Sequence, residues 1–224
     1  NGERLLIDPG YYKGEPENHC LPVIDGVAPR QPTGWVGRVQ ACEDGPYRYL
    51  TCDAAAAYQG AARRLVRYLV MADDRAVVIL DDIVVPADNA GQVRAQYQCG
   101  GSTAVVDNDP GHIRISGRDV QAHLQVFGPP EVALQLHDER SLHDTHWGYH
   151  FADCRHFPVT AEYTADADSP LVTVIYPDHG TDAGAAVERD GPRLVVNLPT
   201  GAPVEFIRTR TGWQPEAAPA TCIR

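Results

Sequence analysis

Lysine is almost absent from this chain of 224 residues: Lys13 is the only one, and every other base is an arginine or a histidine. The 19 Lys+Arg set against 30 Asp+Glu give a formal charge of −11. No basic run occurs, which removes the electrostatic footprint that a nucleic-acid partner requires. Long apolar runs are missing as well. None approaches the roughly 20 residues that a helix needs to cross a bilayer, so no membrane partner is expected. Cysteines stand singly at 20, 42, 52, 99, 154 and 222 with no CxxC unit, which argues against a structural zinc finger. Scattered buried thiols and one or two disulfides of an exported protein both fit that spacing. Phosphate-binding loops, dinucleotide fingerprints and nucleophile elbows do not occur, and Gly100-Gly101-Ser102 lacks the strand-to-helix context of a phosphate site.

Glycine and proline are plentiful, with 20 and 18 residues spread along the chain. That punctuation suits many short strands joined by turns. Apolar runs predict strands at 5–7, 21–24, 35–41 and 47–52. Residues 53–62 are ambiguous, because Asp53 can cap a helix and Ala54 to Ala57 favour one. From about Arg63 the β-rich runs Leu65 to Met71 and Ala76 to Leu80, separated by a short polar stretch, predict a hairpin. Further strands are expected at 93–98, 112–116, 120–127, 132–136, 158–164, 171–176, 185–189, 193–198 and 203–208. This rhythm is that of an all-β antiparallel sandwich. The division expected is a single sandwich domain over 1–224: entry strands over 1–26, the main sandwich over 27–212, and an irregular tail from Trp213. Asn1-Gly2 ahead of Leu5-Leu6-Ile7 is a hairpin-turn signal with no strand before it, so the chain reads as beginning inside a fold. No initiator Met and no signal peptide stand at the start.

Three constellations carry possible chemistry. Asp8 and His19 are a carboxylate and an imidazole, both good zinc donors, but two ligands do not close a tetrahedral site. His137, His143, His146, His150 and His156 interleave with Asp138, Asp144 and Asp153; Trp147-Gly148-Tyr149 argues against a regular helix there. That stretch reads as a polar loop or as a substrate-facing one, with Trp147 and Tyr149 suited to stacking on sugars. Arg63, Arg64 and Arg67 form the third group. Strand alternation puts Arg63 and Arg67 on one face, where guanidinium groups could hold uronate carboxylates or pair with acidic neighbours. Asp81-Asp82 reads as a turn closing a strand.

The segments Asn1-Gly2-Glu3-Arg4-Leu5-Leu6-Ile7-Asp8-Pro9-Gly10-Tyr11, His19-Cys20-Leu21-Pro22-Val23-Ile24-Asp25-Gly26 and Ala57-Tyr58, with the run from Arg63 to Asp82, together resemble the heparinase II/III family of bacterial polysaccharide lyases. The resemblance extends over about residues 1–180 and is densest over 1–85. It implies a supersandwich-like β domain that follows a helical (α/α) toroid, the toroid being absent from this chain. It implies β-elimination on an acidic, uronic acid-containing polysaccharide such as a glycosaminoglycan or alginate, in the periplasm or outside the cell. A zinc ion is implied in the sandwich, with Asp8 and His19 as ligands and a further H-x-H-x-D segment upstream of Asn1. Catalytic His and Tyr side chains are expected largely in or near the toroid, with Tyr11 and Tyr12 beside Asp8 as lining candidates. One departure stands out: Cys20 follows His19 where the family carries Asn, so Cys20 is itself a possible metal donor.

Three functions follow. The first is the sandwich part of a polysaccharide lyase, inactive on its own. The second is a non-catalytic carbohydrate-binding or scaffolding sandwich with exposed aromatics such as Trp35, Trp147 or Tyr149. The third is a small metal-dependent β enzyme built on the 137–156 histidines.

Overall fold

The computed structural model describes residues 19–29, 37–42, 47–72, 76–101, 103–106, 111–129, 132–138, 155–178, 180 and 184–216. The strands in chain order are β1 (Pro22–Ile24), β2 (Arg38–Cys42), β3 (Arg48–Asp53), β4 (Arg64–Ala72) and β5 (Ala76–Val84). Next come β6 (Gln92–Gly101), β7 (Thr103–Val106), β8 (His112–Ser116), β9 (Gln121–Phe127), β10 (Ala133–Leu136) and β11 (Arg155–Thr164). The series ends with β12 (Leu171–Pro177), β13 (Ala186–Asp190), β14 (Arg193–Asn197), β15 (Val204–Thr209) and β16 (Gly212–Pro215). All named pairings are antiparallel. The all-β antiparallel sandwich expected from the strand rhythm is what the chain forms.

Three sheets lie in layers. One has the order β1-β6-β11-β10, the central one β2-β3-β4-β5-β12-β9-β8-β7, and the third β13-β14-β15-β16. The central sheet buries both faces, and alternation along β4 shows how. Leu65 joins Ile24, Tyr97, Val159 and Tyr163 in the core shared with the first sheet. Val66, Tyr68 and Val70 join Val196, Phe206 and Trp213 in the core shared with the third. Two opposed cores on one strand require apolar residues at both parities, which is why Leu65 to Met71 has no clean polar alternation.

The β4–β5 hairpin forms in the register Arg64↔Val84 to Ala72↔Ala76. The ambiguous stretch becomes a short 3-10 turn, Ala55–Tyr58, and Asp53 Oδ1 accepts the Ala55 N–H at 3.3 Å. Two expectations are corrected. Asp81 and Asp82 do not close a strand; they lie within β5 and are 2% exposed. Both have arginine partners on β4, a pairing between strands that a local reading of the turn cannot detect. Trp213 does not begin an irregular tail either. It lies in β16 and is 1% exposed, because its ring completes the second core.

The third sheet is fastened to the central one by a polar knot. Arg64 Nε donates to Asp82 Oδ2 at 2.7 Å, and the same oxygen accepts the Trp213 backbone N–H at 2.9 Å. Arg189 lies over the Trp213 ring at 5.5 Å, a cation–π contact from β13. Gly212 has φ +115, and a Cβ there would run into the Arg64 guanidinium and the Asp82 carboxylate. Gly212→Ala is therefore expected to lower stability by about 2–4 kcal/mol, from left-handed strain plus disruption of the buried pair. Urea unfolding checks this, and a loss under about 0.5 kcal/mol would contradict it.

Candidate functional site

Of the sequence candidates in the described residues, His19, Cys20 and Arg67 lie together at the entry to β1. His19 and Cys20 precede that strand, and Cys20 is held from two sides, by its carbonyl and by its sulfur. Arg67 Nη1, from β4, donates to the Cys20 carbonyl at 2.6 Å. The Gln98 backbone N–H, from β6, donates to Cys20 Sγ at 3.2 Å. Asp81 in turn fixes the guanidinium: Arg67 Nε reaches Oδ1 at 2.6 Å and Nη2 reaches Oδ2 at 2.8 Å. This is the fork-to-fork geometry in which an arginine meets a carboxylate most strongly. Burial alone would lower the Arg67 pKa, yet the charge and hydrogen bonds of Asp81 raise it above its ordinary value.

Arg67 is thus engaged in the fold, with its side chain 16% exposed and its donors turned to Asp81 and Cys20. Arg63, placed on the same face by alternation, lies just before β4 and is exposed. The structure brings Arg67 to the His19–Cys20 segment and does not bring Arg63 to it through any hydrogen bond or ion pair among the described residues. Asp8, Tyr11, Tyr12, Trp35, Trp147 and Tyr149 lie outside the described residues, as do His143, His146 and His150.

Three tyrosines surround the buried pair within the first core. The Tyr58 hydroxyl donates to the Pro22 carbonyl at 2.8 Å, and the Tyr97 hydroxyl lies 2.6 Å from Thr173 Oγ1. Tyr163 Oη is buried without a hydrogen-bond partner. Burial raises the pKa of all three, and the charge of Asp81 raises each further. They remain neutral phenols and cannot act as phenolate bases at neutral pH.

The two described histidines of the 137–156 stretch lie on the outer face of the first sheet. His156 is buried, with Nε2 2.5 Å from Gln98 Oε1. His137 Nε2 lies 2.9 Å from Thr160 Oγ1. A second imidazole pair, unnoticed in the sequence, sits on the central sheet. His112 Nε2 and His123 Nδ1 are 2.8 Å apart, and the His123 ring stacks on Tyr176 at 5.0 Å. Strand spacing offered one sign of it, since β8 and β9 read as neighbours joined by a short turn. Among the described residues no group of three or more His, Cys, Asp or Glu side chains could hold a metal.

The architecture is thus a layered antiparallel sandwich with an appended four-stranded sheet, and the buried Arg67–Asp81 pair anchors the segment that carries His19. No protein-family model and no curated protein matches the sequence. Solved structures share its fold. A heparinase III gene product superposes with a TM-score of 0.63 at 16% identity, covering 96% of this chain and 34% of its own. A mutant of the heparan sulfate lyase HepC from Pedobacter heparinus gives 0.60 at 15% identity, covering 90% and 30%. A further heparinase III gives 0.58 at 12% identity, covering 92% and 29%. The chain therefore spans about a third of the length of the solved structures it matches.

Burial raises the pKa of the Cys99 thiol strongly, and it raises that of Cys52 against the opposing charge of Arg67. Since the thiolate is the reactive form, Cys99 is expected to stay unlabelled by iodoacetamide in the folded protein at neutral pH, and Cys52 to label more slowly than in unfolded chain. Mass spectrometry of the labelled protein checks this; rapid native labelling of Cys99 would contradict it.

Proposed function

We propose that this chain is the β-sandwich part of a polysaccharide lyase that cleaves an acidic, uronic acid-containing polysaccharide by β-elimination. The observation that carries the reading is the match of fold over 90–96% of the chain to heparinase III and heparan sulfate lyase structures. The motif resemblance in residues 1–85, made on independent grounds, supports it. In this reaction a base takes the C5 proton of the uronate, and the C5–H electron pair becomes the C4=C5 double bond. The C4–O bond breaks as that double bond forms, its electron pair leaves on the oxygen, and the oxygen takes a proton. The neutral, buried tyrosines Tyr58, Tyr97 and Tyr163 are poor candidates for that base. Following the family resemblance, base and acid are assigned to groups outside the described residues, with Tyr11 and Tyr12 among the candidates and an N-terminal toroid as their main source. Arg63, exposed beside β4, and Trp147 and Tyr149 remain candidates for contact with the polysaccharide.

Zinc belongs to the same reading. His19 supplies an imidazole next to Cys20, whose carbonyl and sulfur are pinned by Arg67 and Gln98, which suits a metal ligand that must be held in place. Asp8 is the second donor proposed, and a third comes from outside this chain. The ion's part would be structural, holding the site together. A periplasmic or extracellular location accords with such a substrate.

The full-length polypeptide, given heparan sulfate, is expected to release unsaturated uronate detectable by its ultraviolet absorbance. It is expected to contain zinc. His19→Ala should weaken zinc binding by more than the roughly 10–100-fold that loss of an outer partner costs, with a parallel loss of activity. A full-length protein that binds the polysaccharide but never yields unsaturated product would leave the non-catalytic carbohydrate-binding sandwich in its place.

A further inference from the structure

The imidazole pair on the central sheet lies away from the His19–Cys20 segment. Ile113 on β8 and Leu124 on β9 belong to the core shared with the first sheet, so alternation turns His112 and His123 to the opposite face. There the rings of His112, His123 and Tyr176 form one row across β8, β9 and β12, with centroids 4.9 and 5.0 Å apart. His112 Nε2 meets His123 Nδ1 at 2.8 Å. The other nitrogen of His123, Nε2, lies 3.8 Å from Asp178 Oδ2. Tyr176 continues the row to Gln125, whose Oε1 accepts the Tyr176 hydroxyl at 2.8 Å and the Ala185 backbone N–H at 2.6 Å. Ala185 immediately precedes β13, and both it and Tyr176 belong to the second core. The row therefore ends on the segment that leads into the third sheet.

A hydrogen bond between two ring nitrogens needs one N–H and one lone pair, so at least one of the two imidazoles is neutral. The pair can hold one extra proton, and Asp178 is placed to balance that charge. It cannot hold two. Both facing nitrogens would then carry hydrogens, and two like charges would stand side by side. Arg114, directly opposite His123 in register, adds further positive charge. Arg118 and Asp119 lie exposed in the turn that joins β8 to β9. Tyr176 is a titratable neighbour too, and burial raises its pKa, so it stays a neutral phenol. Among the described residues, β7 and the 184–185 segment bring no charged or titratable side chain. An unfolded chain has no such conflict, since separate histidines each take up a proton near about pH 6.5. Below that pH the opened state binds more protons than the closed one, and the closed state loses stability as pH falls.

We propose that the His112–His123 pair is a pH-sensitive latch on the entry to the third sheet. While the two imidazoles share no more than one proton, His123 stays stacked on Tyr176, and Gln125 keeps the Ala185 backbone on the central sheet. A second proton parts the imidazoles, loosens Tyr176 from its stack and frees the 184–190 stretch. The latch answers acidification over the range in which histidine titrates. It lies on the face of the central sheet opposite the Arg67–Asp81 pair and needs neither zinc nor substrate, so it does not rest on the lyase reading.

Hydrogen–deuterium exchange of the full-length protein, followed on peptides that cover 184–190, reads the latch at about pH 7.5 and about pH 5, either side of the imidazole range. Each rate is corrected for the intrinsic effect of pH on amide exchange. Protection of 184–190 in the parent is expected to fall roughly tenfold or more on acidification, whereas β4 and β5 keep theirs. His112→Gln is the decisive variant, because its amide nitrogen can donate to His123 Nδ1 in place of the imidazole but takes up no proton. His123→Asn, whose amide stands in for Nδ1, makes the same change from the other side. Both variants should show little difference in protection between the two pH values. Each is compared with itself, so a general loss of stability imitates neither result. A parent with equal 184–190 protection at both pH values would overturn the latch. So would either variant losing protection on acidification as the parent does, since the proton would then act elsewhere.

Discussion

The structure depends most on one buried ion pair. Arg67 and Asp81 lie on neighbouring strands of the central sheet, directly opposite in register, and face the core shared with the first sheet. Desolvating two charges is expensive, and the cost is offset only when geometry and additional hydrogen bonds are good. Here the fork is bidentate and the remaining donor meets the Cys20 carbonyl. The pair thus serves less to stabilise the sheet than to fix a chain segment belonging to another layer. His19 is carried next to the residue that is pinned.

A similar arrangement recurs on the opposite face. Arg64, three residues before Arg67 on β4, and Asp82, next to Asp81 on β5, point into the second core, where Asp82 holds the Trp213 backbone of the third sheet. Positions of opposite parity on β4 and β5 therefore fasten both outer layers to the middle one. Alternation makes this possible, because residues an odd number of positions apart, as Arg64 and Arg67 or Asp81 and Asp82 are, emerge on opposite faces. Apolar burial supplies most of the folding free energy, and the two polar knots set where the outer layers sit. The neutral tyrosines around Asp81 belong to that anchor, which separates holding the site from performing proton transfer.

Much of the fold was legible in the sequence. The expected strands 171–176 and 193–198 correspond to Leu171–Pro177 and Arg193–Asn197, because alternation and turn residues are local signals. Asp81-Asp82 was misread as a turn since the arginines that neutralise it lie 14 and 18 residues earlier. Trp213 was misplaced in a tail because only the third sheet reveals what it covers. For the site, the sequence singled out His19, His156 and Arg67 by residue type. It could not show that Arg67 turns inward to Asp81, nor that the outward Gln96 and Gln98 are buried. Alternation gives a side chain its face, whereas burial depends on what other layers place against that face.

A double-mutant cycle on Arg67 and Asp81, followed by chemical denaturation, tests the central claim most directly. Arg67→Met alone is expected to cost about 3–5 kcal/mol, because it leaves Asp81 buried without its cation. Adding Asp81→Leu should recover part of that loss, giving a coupling energy of about 1–3 kcal/mol. Losses that add to within about 0.5 kcal/mol would mean that the two side chains act independently, and that the anchor of the His19–Cys20 segment lies elsewhere.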